Sequence, residues 1–237
     1  MNMESFYGFG PAVGSMQVAV CTRQARMLLR GRGRDIPGLQ KFARRARDAG
    51  RQSARDDPFA DYALVQAETE YGEAVKRLRE TRIRHAGQWR EACSSPTVSR
   101  MPPVRFREVG LHIQFSVHAG MALNLILQLD AIVCMLQTMS QLKILKHRDA
   151  FGEIDMLASG IRRMMSAAVA WAPTGCTRRD LVERSDRAFA AVERLAERGF
   201  IDRSMFSGLN DMCDCFGGYA YRPKFAPAID AEALFGD

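Results

Sequence analysis

The chain has 237 residues, 47% of them hydrophobic, and a formal net charge of +7. A chain of this length buries a substantial core, so no disulfide scaffold is required. Residues 1–56 hold eleven Lys and Arg against four Asp and Glu, whereas residues 57–237 hold equal numbers; this excludes a merely solubilising charge and marks a local surface for a polyanion, DNA foremost.

The first ten residues carry Glu4 and no basic-then-apolar run, so no secretory signal is read there. Residues 1–14, with Gly8, Gly10 and Gly14, read as a flexible arm, because they precede the first strand and lack the strand-then-helix setting of a dinucleotide loop. Met16, Val18 and Val20 alternate with smaller or polar residues and predict a short strand over 16–21. Thr22 is placed to cap a helix from Arg23 to about Leu29, and Gly31 and Gly33 supply the break. A second helix is predicted from Pro37 to about Gly50, with Leu39, Phe42, Ala43 and Ala46 on one face and basic residues over much of the rest.

Asp56-Asp57-Pro58 reads as an acidic cap followed by a first-turn proline, opening a long amphipathic helix to about Gln88. Glu73 with Arg77 and Glu80 with Arg84 are predicted i,i+4 pairs on its outer face. Ser94 to Pro103 is the clearest linker. A second strand is predicted over 104–115, with Gly110 as a bulge or bend. The helix from Val117 to about Leu142 is apolar over most of its circumference. Its stretch Gly120–Leu136 is interrupted by Asn124, Gln128 and Asp130 and falls short of the roughly 20 residues a bilayer needs, so it is expected to be a core helix rather than a membrane span, with a subunit interface as a second use. Asn124 and Gln128 lie one turn apart there and are candidates either for fixing the register of two copies or for ordinary hydrogen bonds to a neighbouring loop. Further helices are expected from Asp149 to Trp171 and from the capping box at Thr177-Arg178-Arg179-Asp180 through Ala196, with Gly199 ending the last. The tail from 210 to 237 is expected to be short helices and irregular chain.

Strand, helix, turn and basic helix within residues 15–56 form the plan of a ribbon-helix-helix module, in which two chains pair their strands in the major groove. In that reading Gln17 reaches base edges, while Arg23, Arg26, Arg30, Arg32, Arg34, Lys41, Arg44 and Arg45 neutralise phosphates. The alternative reader is the second strand, where Arg105 and Arg107 flank Phe106 and His112 and Gln114 alternate with apolar neighbours. Cys213 and Cys215 lack the second ligand pair that a structural zinc needs, and the four histidines form no metal-type motif, so no metal and no cofactor are expected. The six cysteines show no regular framework and fit reduced thiols in the cytoplasm. No nucleophile motif such as GxSxG is present, and an enzyme is not expected.

Thr22-Arg23-Gln24-Ala25-Arg26 to Arg30-Gly31-Arg32, with Gly38-Leu39 and then Asp56-Asp57-Pro58-Phe59-Ala60-Asp61 opening a long helix, resembles the AcaB-like regulators of conjugative plasmids and integrating conjugative elements. The later apolar helix and Thr177-Arg178-Arg179-Asp180 are similar too, so the likeness covers roughly residues 16–205. It implies a dimeric transcriptional activator of transfer genes with a ribbon-helix-helix DNA-binding element. The expected fold is therefore mainly α, a helical bundle (57–209) with a short strand used in a dimeric ribbon. The expected partners are double-stranded DNA, a second copy and, as a further candidate, RNA polymerase. The competing function is a structural or interaction protein of a conjugation apparatus with a basic arm.

Overall fold

A computed structural model describes residues 13–33, 36–94, 105–114 and 116–201. The arm before residue 13, Arg34, most of the linker and the tail with Cys213 and Cys215 lie outside the described residues. In chain order the elements are β1 (Val13–Val20), α1 (Arg23–Arg30), α2 (Leu39–Ser53), α3 (Pro58–Cys93), β2 (Arg107–Gln114), α4 (Val117–Gln141), α5 (His147–Ala170), α6 (Arg178–Val182) and α7 (Asp186–Glu197). The described residues are mainly helical with one small sheet, as expected.

They gather into two compact units. The first holds the residues up to Arg44 together with Glu70–Arg163, and the second holds Arg45–Thr69 together with those from Met164 onward.

In the first unit β1 and β2 pair antiparallel along their full lengths, from Val13 opposite Gln114 to Val20 opposite Arg107. Period-2 alternation sorts the two faces. Val18, Val20, Val109, Leu111 and Ile113 are buried, while Ser15, Gln17, Ala19, Glu108, Gly110 and His112 are exposed. The two candidate ribbon strands are thus partners in one ribbon rather than alternatives. The ribbon also closes within a single chain, a different route from the pairing between chains read from the sequence.

Gly110 sits opposite Gln17 in unbroken register, which corrects the expected bulge. The consequence is one of parity. Without an extra residue, Arg105 and Arg107 share the parity of Val109 and Leu111, not that of His112 and Gln114.

Thr22 caps α1 as expected, its hydroxyl accepting from the Ala25 N–H at 3.2 Å. α1 buries Ala25, Leu28 and Leu29 and packs against α4 and β2. The α1–α2 turn is tight. Gly31 has φ +80°, and a Cβ built on Gly38 would lie 2.5 Å from the Arg30 carbonyl carbon and oxygen. Because that obstacle is backbone, Gly38→Ala is expected to cost about 2 kcal/mol, within the range for overpacking, read as a lower urea midpoint at unchanged slope.

α3 and α5 run antiparallel in this unit, tied by Glu70 to Arg163 at 3.1 Å and by Glu153 to both Arg84 (2.7 Å) and His85 (3.0 Å). Arg84 therefore pairs across to α5, and the expected i,i+4 bond to Glu80 gives way to it. The Glu73–Arg77 pair is present at 3.9 Å.

α4 is 25 residues long and apolar enough to span a bilayer by length and composition alone, with 56% of its most apolar window buried. Its inner face carries Ala122, Leu125, Ile126, Leu129, Val133 and Leu136. Its outer stripe is Val117, Gly120, Asn124, Leu127 and Ala131, spaced alternately three and four apart. Beside that stripe the Gln128 amide donates to the Asn124 carbonyl at 3.2 Å, an exposed bond across one helical turn.

In the second unit Asp57 caps α3, accepting from the Phe59 and Ala60 N–H groups at 2.9 and 3.0 Å, with Pro58 as the first helical residue. Burial pushes the Asp57 carboxyl above its usual range, against the pull of those bonds. Arg178, almost fully buried, donates to Asp56 at 2.6 Å and to the buried Asp61 at 3.2 Å. The capping box forms, with Thr177 and Asp180 bonded reciprocally. The helix it opens ends at Val182, which corrects the continuous helix expected to Ala196. Arg184 takes φ +55°, and Ser185 caps a new helix by accepting from the Ala188 N–H. Two N-terminal signals eight residues apart compete, and the second restarts the chain.

Candidate nucleic-acid interface

Among the residues whose side chains are described, three cross-strand pairs lie on the outward ribbon face: Ser15 with His112, Gln17 with Gly110 and Ala19 with Glu108. All six residues are exposed. Each pair sets one long polar side chain against a small one, so none of the three is crowded from across the ribbon. Ser15 Oγ and His112 Nδ1 lie 3.1 Å apart, a hydrogen bond that ties the imidazole across to β1.

At the Ser15–His112 end, the Gln40 side-chain amide donates to the His112 carbonyl at 3.2 Å. This bond fixes the first turn of α2 beside the ribbon. Lys41 and Arg44 follow on α2, both exposed. At the opposite end Arg107 pairs with Val20, and Arg105 and Phe106 precede it, all exposed. Exposed Arg23, Arg30 and Arg32 and half-buried Arg26 lie on α1 and the turn after it. Arg45 is half-buried and falls in the second unit. Gln114 ends β2, opposite Val13.

Sequence reasoning missed Ser15, Gln40 and Glu108, and above all Asp130. The Asp130 carboxylate, buried on α4, accepts from the Cys21 N–H and the Thr22 N–H, each at 2.8 Å. It thereby locks the turn by which β1 enters α1. The signal was present: a lone acid in an apolar helix must have a partner if it is buried. Asp130→Asn keeps one acceptor and loses the charge, so it is expected to cost about 1–2 kcal/mol, seen as a lower denaturation midpoint and faster amide exchange at Cys21 and Thr22.

All four described cysteines are free thiols. Burial pushes the Cys134 and Cys176 thiols up to about 12, with Cys21 and Asp130 adding to the first and Asp180 and Asp57 to the second. They are protonated at neutral pH and belong to the packing. Among the described residues no group of His, Cys, Asp and Glu is arranged to hold a metal ion.

A family model described as transcriptional regulator AcaB matches residues 8–210. Comparison with curated proteins and with solved structures gives no match.

Proposed function

The chain belongs to the AcaB family of transcriptional regulators, and from that premise we propose that it binds double-stranded DNA in the cytoplasm by laying the β1–β2 ribbon in the major groove. The observation that carries this reading is the ribbon face itself, a row of exposed polar side chains with Lys41 and Arg44 at one end and Arg105 and Arg107 at the other. A two-stranded ribbon fits the width of the major groove. Cations at its two ends then meet phosphates on either side, which fixes register while the ribbon face meets base edges.

On this reading the chain activates transfer genes of a conjugative element, with RNA polymerase as the candidate contact. It acts as a homodimer. The outer stripe of α4 supports self-association, because it carries no charged side chain and bears Asn124, which is bonded to Gln128 beside it. Such a surface matches another copy of itself better than it matches a charged partner, and a polar position within an apolar seam sets the register of like with like.

The test is a titration of the full chain against duplexes from the element's own promoters over a range of salt. Affinity should fall with salt at a log–log slope of about −0.9 per phosphate contact, several contacts in all, with one fragment preferred. Sedimentation of the same samples counts the chains per duplex. A flat salt dependence excludes the phosphate contacts, and equal affinity for all fragments excludes specific regulation.

A further inference from the structure

In a ribbon made by two copies of one segment, both strands carry the same residues and the reading face has twofold symmetry. Here the two strands are different segments of one chain, 13–20 and 107–114. Among the positions whose side chains are described, the long side chains on the outward face are Glu108, Gln17 and His112, and no two are alike. We infer that a single chain reads a short, non-palindromic run of base pairs with these three side chains, one from each cross-strand pair.

The inference rests on the DNA-binding reading above. Strand geometry sets the scale. Alternate residues on an antiparallel strand are about 6.8 Å apart, so the three pairs span about 14 Å, roughly four base-pair steps at 3.4 Å each. The chemistry of each position differs. Glu108 carries only acceptors and suits the N4 amino group of cytosine, while the Gln17 amide suits the paired N6 and N7 of adenine. Gly110 opposite Gln17 leaves that amide space to turn edge-on to the base. In the tautomer in which the Ser15 hydroxyl donates to Nδ1, His112 keeps Nε2–H as a donor, which suits guanine N7 or O6. An acceptor at one end, an amide in the middle and a donor at the other end cannot be superposed on themselves by a half-turn. Any dyad in the operator then comes from two chains, each with its own complete ribbon.

Two measurements on the full chain test this. First, Ser15→Cys with His112→Cys is oxidised with diamide, which takes the two thiol hydrogens as the S–S bond forms. The linked peptide is then mapped by mass spectrometry. A link within one chain is expected, and a covalent dimer joined through these positions would overturn the inference.

Second, a duplex library randomised over twenty base pairs is selected with the wild-type chain and with Glu108→Gln, Gln17→Ala and His112→Ala. The core motif should lack a dyad. Each variant should lose roughly tenfold in preference at its own position and leave the other two unchanged. A core with a dyad through its central step, or loss at two symmetric positions from one substitution, overturns the asymmetric reading while DNA binding stands. Selection of no duplex at all removes both readings together. The substituted side chains are exposed, and unchanged melting curves confirm that each variant is folded.

Discussion

Arg178→Met is expected to cost about 3–5 kcal/mol of folding stability, the usual loss when one partner of a buried ion pair is removed. The Arg178 side chain is 4% exposed and that of Asp61 is 0% exposed, with Asp56 only partly covered at 18%. Methionine fills most of the volume but leaves the Asp61 carboxylate buried without this cation, and the hydroxyl of Ser53, 3.3 Å away, does not replace a charge. The Arg178 backbone N–H also donates to the Asp56 carbonyl at 3.2 Å, a bond that the substitution spares, so the loss isolates the side chain. Arg179→Ala is the matched control. Its ion pair with Glu183 is open to solvent, 71% and 52% exposed, and such pairs contribute at most about 1 kcal/mol. Urea denaturation of the two variants should therefore separate widely. Coincident curves would show that the buried triad does not hold this unit together.

The second large effect concerns DNA. Lys41→Ala with Arg44→Ala should lower affinity about sixtyfold at 0.1 M salt and reduce the salt slope by about 1.8, since two lost phosphate contacts each forfeit about 0.9 of a counterion. The loss should be the same for every duplex, because phosphates carry no sequence information. Lys41 and Arg44 are one turn apart on α2, exposed, and close in sequence to the Gln40 bond that fixes this helix to β2. A sequence-dependent loss would mean that these residues touch bases. An unchanged slope would remove α2 from the interface and leave the cations of α1 and the β2 entrance to neutralise the backbone.

The segments that carry the family resemblance acquire a physical meaning from the second unit. Asp56, Asp57 and Asp61 lie more than a hundred residues from Thr174 and Arg178, yet Asp57 bonds Thr174 and the other two bond Arg178. These motifs tie together segments of the second unit that are far apart in sequence. Their acids and their arginine must occur together, because either alone would be a buried, unpaired charge. The Thr22-to-Arg26 motif is likewise a structural turn, with Thr22 capping α1 and its own N–H held by Asp130.

What the sequence determined by itself was local. The caps at Thr22, Asp57-Pro58 and Thr177 with Asp180 were legible because each is a bond between residues two or three apart. Both strands were legible from their alternation, and the N-terminal bias of charge from a count. Only the tertiary structure decided that β1 and β2 are each other's partners, that Gly110 stays in register, that Arg84 turns to Glu153, and that Asp130 locks the turn into α1. The physical reason is the same in each case. An alternating strand states which of its faces is apolar but not which strand shares that face, and a charged side chain states that it needs a partner but not where the chain will bring one. Those choices are made when distant apolar surfaces are buried together, so the ribbon face proposed to read DNA exists only once residues 13–20 and 107–114 have met.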